Sequence, residues 1–409
     1  METILARCAG LDVHKESVEA CVRRIEPDGR VHSETRHWGT MTRDLREMAE
    51  WMAGEGVTNV AMESTGVFWK PIFNILESRF VVLLVNARHL KQVPGRKSDV
   101  RDCQWIAQLL QCGLLKGSFI PSRAQRELRD LTRHRTQLVE EKTRTINRIQ
   151  KVLEDANIKL ASVATDIMGV SGRAMIEQLI AGETNPNKLA DLAQRQLPGK
   201  IPELQKALEG KLTDHHRFLL KMLWKELAQQ EELVGELNAK IEEHTRLFAV
   251  EIVRLDAIPG VDRRVAEVLL AEVGADIKPF PSDEHLSSWA GMCPGNEESA
   301  GKRRRRRITP GNRWLKKTLA QAGWAASHTK NTYLASQYRR LAGHRGKKRA
   351  LIAVGHSILV IFYHMMRTGS DYTDLGGDFF DRLEPQRLTR YYVRRLERLG
   401  HKVTLQTAA

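Results

Sequence analysis

The chain has no Cys-x-x-Cys pair, and its five cysteines (Cys8, Cys21, Cys103, Cys112, Cys293) fit no zinc-ligand spacing. They read as reduced thiols, not as a disulfide or metal framework. The start lacks a charged stretch leading into an apolar run with a cleavage site, so nothing marks secretion and a cytoplasmic protein is expected. The longest apolar stretch, residues 351–366, contains His356 and His364 and is too short to span a bilayer; a buried helix and no membrane partner are expected. A phosphate loop is excluded as well. Gly295-Asn-Glu-Glu-Ser-Ala-Gly-Lys302 has one residue too many between its glycines, no Ser or Thr after the lysine, and no apolar strand before it.

Another lack points toward a partner. Residues 301–370 hold 17 basic side chains and not one acidic side chain. From residue 301 to the end the balance is 24 Lys+Arg against 6 Asp+Glu, a net +18, whereas the first 300 residues carry 41 against 44, a net −3. So lopsided a distribution points to a polyanion, most simply nucleic acid, held by the C-terminal half.

A length of 409 residues with 42% apolar content implies two or three domains with real cores. Residues 9–13, 17–24 and 31–38 read as successive strands, the last two joined by the turn Glu26-Pro27-Asp28-Gly29. A helix over 42–55, a strand over 57–62 ending at Glu63, a helix over 67–78, a strand over 80–85 and a helix over 99–112 follow. That order predicts a mixed sheet of the ribonuclease-H type over residues 1–120. Residues 121–250 read as a helical linker with an imperfect coiled coil: Leu220, Leu227, Val234 and Ile241 at one heptad position, Leu223 and Leu237 at its partner, Gln230 and His244 interrupting. Whether that seam pairs within the chain or with a second copy stays open. Residues 251–370 form a mostly helical C-terminal domain. It opens with a helix-hairpin-helix-like segment over 251–274, whose hairpin would either offer backbone N–H groups to a phosphate or serve as a plain packing unit, and helices over 312–327 and 348–366 follow. Trp314, Trp324 and Tyr333 lie among basic residues and could stack on bases, but at helical spacing they are expected in its core. Residues 371–409 are a polar extension with a charged terminal helix. The fold class is therefore multidomain α/β followed by α.

Chemistry is suggested by four carboxylates: Asp12 and Glu63, each ending an apolar run, and Asp99 with Asp102, three apart at the start of an amphipathic run. Strand ends and a helix start are where such a sheet gathers functional groups from distant parts of the chain. Carboxylates brought together repel one another unless a cation lies among them, and Mg²⁺ held by carboxylates acts on phosphates.

The motifs Gly10-Leu-Asp-Val-His-Lys15, Met62-Glu-Ser-Thr-Gly66 and Lys97-Ser-Asp-Val-Arg-Asp102 resemble the acidic motifs of the DEDD transposases, the insertion-sequence-110 family. Ser288-Trp-Ala-Gly-Met-Cys-Pro294, Ser299-Ala-Gly-Lys302 and Ile308-Thr-Pro-Gly-Asn-Arg-Trp-Leu315 resemble that family's C-terminal transposase domain, with Ala300 where the family usually has glycine. The resemblance implies a RuvC-like N-terminal domain and a Mg²⁺-dependent recombinase with catalytic Asp12, Glu63, Asp99, Asp102 and a serine nucleophile at Ser299. It also implies donor and target DNA, a structured guide (bridge) RNA, a dimer or tetramer of the chain, and a nucleoid-associated prokaryotic setting. Lys302, Arg303, Arg304, Arg305, Arg306, Arg307, Arg313, Lys316 and Lys317 are the expected nucleic-acid contacts; sequence does not divide the 302–307 run between a polyanion tether and phosphate-holding groups. The alternatives are a Mg²⁺-dependent junction endonuclease using water, and a non-catalytic nucleic-acid-binding protein.

Overall fold

Strands with apolar side chains on both faces form the centre of the sheet that opens the computed structural model, in which residues 4–64, 66–86, 90, 102–195, 197–293, 298–299, 302–303, 311–383 and 385–406 are described. The chain divides into two compact units, Met1–Pro121 and Ser122–Ala409.

In the first unit, β1 (Arg7–Val13), β2 (Ser17–Ile25) and β3 (Val31–Gly39) form an antiparallel meander. After α1 (Thr42–Gly54) comes β4 (Asn59–Glu63), then α2 (Trp69–Leu76), β5 (Val81–Val85) and α3 (Asp102–Gln111). Strand order is β3-β2-β1-β4-β5, with β4 parallel to both β1 and β5. The expected mixed sheet is present. Helix α2 is shorter than expected at both ends. Strand β4 begins two residues late and takes in Glu63 itself. Ser98 and Asp99 lie outside the described residues.

Period-two alternation divides the sheet's faces. Ala9, Leu11 and Val13 of β1 join Val60 and Met62 of β4 in a core closed by Leu45, Met48 and Met52 of α1 and Ile72 and Leu76 of α2. The opposite positions, Cys8 and Ala61, pack with Trp105, Ile106 and Leu109 of α3. Burying about ten such side chains, at roughly 1.5–3 kcal/mol each, fixes the register, because a one-residue slip exchanges the two faces.

In the second unit, α4 (Arg123–Asp155) starts at Ser122, whose hydroxyl caps the Gln125 amide. Short helices at Leu160–Val163, Val170–Ala181, Pro186–Ala190 and Ile201–Ala207 lead to α5 (Asp214–Thr245). Helices α4 and α5 run antiparallel. His216–Asp155 pairs at 2.9 Å near one end, Lys142–Glu231 at 2.7 Å midway, and Arg135 donates to Asn238 at 3.2 Å near the other. The apolar seam carrying Leu220, Leu227 and Ile241 is thus buried within the chain. Beyond it come α6 (Ala249–Asp256), α7 (Arg263–Glu272), α8 (Asp283–Ala290), the two-residue strands β6 (Glu298–Ser299) and β7 (Lys302–Arg303), α9 (Arg313–His328), α10 (Tyr333–Arg345), α11 (Lys347–Thr368), α12 (Phe379–Leu383) and α13 (Pro385–Arg398).

Helix α11 is long and apolar enough by composition to cross a membrane. Here it is the packed centre of the C-terminal helices, burying Val354, Ile358, Leu359, Phe362 and Tyr363, with the Tyr363 hydroxyl donating to the Phe280 carbonyl at 3.2 Å. One core expectation is corrected: Trp324 is 59% exposed on α9 and tilts against His328, whereas Trp314 and Tyr333 are half-buried.

Candidate functional site

Asp12 and Glu63 come together because β1 and β4 are adjacent and parallel. Their last paired residues are Leu11 and Met62, so the two carboxyl-bearing residues are next in line at neighbouring strand ends, about 5 Å apart across the ladder. Alternation puts both on the α3 face, since Gly10 and Ala61 beneath them face that helix. At Gly10 the helix makes its closest approach: a Cβ there would lie 2.3 Å from both the Ala107 amide nitrogen and the Cys103 carbonyl oxygen. Only glycine lets α3 cross the strand this closely, and the crossing sets the first helical residue, Asp102, beside the strand ends.

The electrostatics agree with that arrangement. The Asp12 carboxyl is held above its ordinary range, first by burial and then by the charges of Asp102 and Glu19, against the lowering effect of His14. His14 Nε2 stands 3.3 Å from Asp12 Oδ2. Glu19 was not singled out from sequence. It pairs directly with Asp12 across β1 and β2, on the face it shares with Cys21 and therefore with α3. Polar residues at alternate positions of an early strand look like an ordinary solvated face, which hides it.

Among the described residues no three His, Cys, Asp or Glu side chains are grouped closely enough to hold a metal ion as they stand. The donor chemistry nevertheless suits a hard divalent cation. Carboxylate oxygens are the preferred ligands of Mg²⁺, and the raised Asp12 carboxyl is the sign of crowded negative charge that a cation relieves. The fourth expected acid, Asp99, lies outside the described residues.

In the second unit the expected nucleophile, Ser299, pairs with Lys302 in the β6–β7 ladder, and Glu298 pairs with Arg303. Arg304, Arg305, Arg306 and Arg307 lie outside the described residues. The chain enters and leaves this region at one point. Gly291 caps α8 in the left-handed conformation, and a Cβ on Gly311 would lie 2.3 Å from the Gly291 amide nitrogen. Asn312 then starts α9. Its Oδ1 accepts from the amides of Trp314 and Leu315 at 3.1 and 3.2 Å, and its Nδ2 donates to Glu272 at 2.5 Å.

Glu272 is completely buried, which costs several kcal/mol for an unpaired carboxylate. Arg133 compensates it through a bidentate pair at 2.7 and 2.8 Å, and Arg129 adds a contact at 3.3 Å. Burial pulls the Arg129 guanidinium down to about 10. Sequence missed this anchor because a glutamate in an amphipathic helix reads as surface. The Asn at the start of an apolar helix was the available clue.

The remaining expected contacts are spread along α9. Arg313 is exposed with its guanidinium 4.6 Å from the Trp314 ring, Lys316 is half-buried, and Lys317 is paired with Glu140 of α4. In the α6–α7 hairpin the Asp262 carboxylate caps α7, accepting from the Val265 amide at 2.8 Å, and Gly260 is pressed against the backbone of Ala322 and Ala326.

Residues 9–158 match the family model of DEDD transposases of the IS110 type, and residues 253–339 match the model described as the transposase IS116/IS110/IS902 family. The chain is 24% identical over 246 residues, 60% of its own length and 64% of the relative's, to a Pseudomonas aeruginosa protein named as a probable family 20 transposase. It is 33% identical over 149 residues, 35% of its length and 34% of the relative's, to an uncharacterized 43.6 kDa protein of insertion element IS110 from Streptomyces coelicolor. The matched stretch is thus under two thirds of the length of either relative.

Proposed function

Since this chain belongs to the IS110 family of transposases, whose models match residues in both of its units, we propose that it cuts and rejoins DNA using Ser299 as nucleophile and Asp12, Glu63, Asp99 and Asp102 as the acidic set. The observation that carries this reading is the shared face on which Asp12 and Glu63 end adjacent parallel strands while α3, starting at Asp102, crosses at Gly10.

In this reading the Ser299 hydroxyl loses its proton as its oxygen bonds to phosphorus. One phosphorus–oxygen ester bond breaks, and the departing strand's oxygen takes up a proton. A hydroxyl of a second strand then reverses the exchange and frees the serine. Mg²⁺, when bound by the acidic set, supplies charge neutralisation at the phosphate. Lys302, Arg303, Arg304, Arg305, Arg306 and Arg307 hold the phosphate oxygens and stabilise the charge that develops on them. A guide RNA supplies the choice of site, and two or more copies of the chain supply the active sites that joining two DNAs requires.

The test is to mix protein, Mg²⁺, guide RNA and labelled donor and target DNA, and to look for a covalent protein–DNA adduct. Loss of the adduct in Ser299→Ala supports the serine mechanism. Cutting that survives in Ser299→Ala but stops in Asp12→Ala identifies a water-using endonuclease, and binding without any cutting identifies a passive binder.

A further inference from the structure

Helix α13 lies beyond both family matches and buries no side chain among the described residues. It is nonetheless strongly patterned. At about 100° per residue, Arg387, Arg390, Arg394 and Arg398 fall in a stripe roughly 80° wide and about 16 Å long. Leu388, Tyr392 and Leu396 fall on the opposite side. Only Glu397, at one edge of the stripe, offsets its four arginines, so the stripe carries an excess of positive charge that suits a polyanion. Arg395 is held against the Tyr391 hydroxyl at 3.1 Å, off the stripe's centre.

We propose that α13 is a duplex-DNA docking helix that lays this arginine stripe along the phosphate backbone. The proposal rests on the transposase reading for its partner and adds a binding element outside the matched domains. An α-helix some 10–12 Å across fits the roughly 12 Å major groove of B-form DNA, whereas the deep, narrow major groove of A-form RNA does not admit it. A lipid surface suits the helix less well. Membrane-surface helices set Trp, Phe and Leu below their basic face, and of these residues 385–398 supply only Leu388 and Leu396.

The experiment measures affinity of the full chain for a labelled 30-base-pair DNA between 50 and 200 mM salt. It compares the unaltered protein with the fourfold variants Arg387→Gln/Arg390→Gln/Arg394→Gln/Arg398→Gln and the same positions changed to Lys. Four phosphate contacts contribute a slope of about −3.6 in log affinity against log salt. The Gln variant is expected to lose about 3 to 4 units of slope, the Lys variant to keep them, and circular dichroism to be unchanged in both. The Gln variant is further expected to form the Ser299 adduct at saturating DNA.

An unaltered slope in a folded Gln variant overturns the proposal. So does a loss seen only with duplex RNA of the same sequence, or only with vesicles of one-third phosphatidylglycerol in phosphatidylcholine. In each of those cases persisting adduct formation leaves the transposase reading standing. Failure of the unaltered chain to bind DNA at any salt overturns both.

Discussion

Gly10 is the residue on which the acidic face turns. Replacing it with alanine drives a methyl group into the backbone of α3, and neither side of that contact is a flexible side chain. Gly10→Ala is expected to lower stability by about 3 kcal/mol in urea unfolding, at the upper end of overpacking costs. DNA cutting should fall further than stability, because Asp102 moves with the helix. The three thiols near this contact make a second prediction. Burial pushes Cys8 and Cys103 up to about 12 and raises Cys21 as well. At pH 8 the thiolate fraction of the first two is about one in ten thousand, so iodoacetamide should spare all three in the folded protein. Mass spectrometry should find label on the half-exposed Cys112 and Cys293 only, and five labels after denaturation. Glu63 stood out in the sequence because a charged residue continuing an apolar run demands compensation, and Asp12 through its place in the order of acidic residues along the chain. Glu19 and Glu272 were not, since a glutamate in an alternating strand or an amphipathic helix is the ordinary surface pattern.

Elements were read best where one period dominated. The five strands fall within one or two residues of their expected bounds, and α1 follows the helical spacing of Leu45, Met48 and Met52. Helix α10 was passed over because its sequence is dominated by Arg339, Arg340 and Arg345 and buries only Leu334 and Ala335. The partner of the α5 seam was not legible, because heptads specify an apolar stripe and not which helix covers it. That antiparallel pair has a pH-sensitive tie. Burial pushes the Glu231 carboxyl up, but hydrogen bonds from Lys142 and Arg173 outweigh it and hold the group below the usual carboxylate range. A lowered folded-state value means the stabilisation is fully present above the ordinary carboxylate range, near pH 4.3, and is lost as pH falls through the lower value. Thermal unfolding of Glu231→Gln should therefore resemble the unaltered chain below pH 3 and be less stable above pH 5. At the start of α9, Asn312→Ala removes a cap and a donor to buried Glu272. It should cost about 2 kcal/mol in urea unfolding, whereas Glu272→Ala strands two arginines and should cost about 3–5 kcal/mol.

Across the whole molecule, negative charge and positive charge do different work. The acidic set belongs to the first unit, and the excess of basic residues lies after residue 300, in the second. Chelating divalent cations with EDTA is therefore expected to abolish cutting while leaving DNA affinity within about threefold, measured by anisotropy at fixed ionic strength. Charge asymmetry was the feature of the whole chain that sequence made plain, because it needs no folding to be counted. What it concealed was structural anchoring, the buried Glu272 held by Arg129 and Arg133.

The abutment of Gly291 and Gly311 has a consequence for how such a chain diversifies. A segment whose entrance and exit share one doorway can be lengthened, shortened or exchanged without moving the walls on either side. Insertions or deletions between Gly291 and Gly311 can thus leave the helices α8 and α9 on either side where they are.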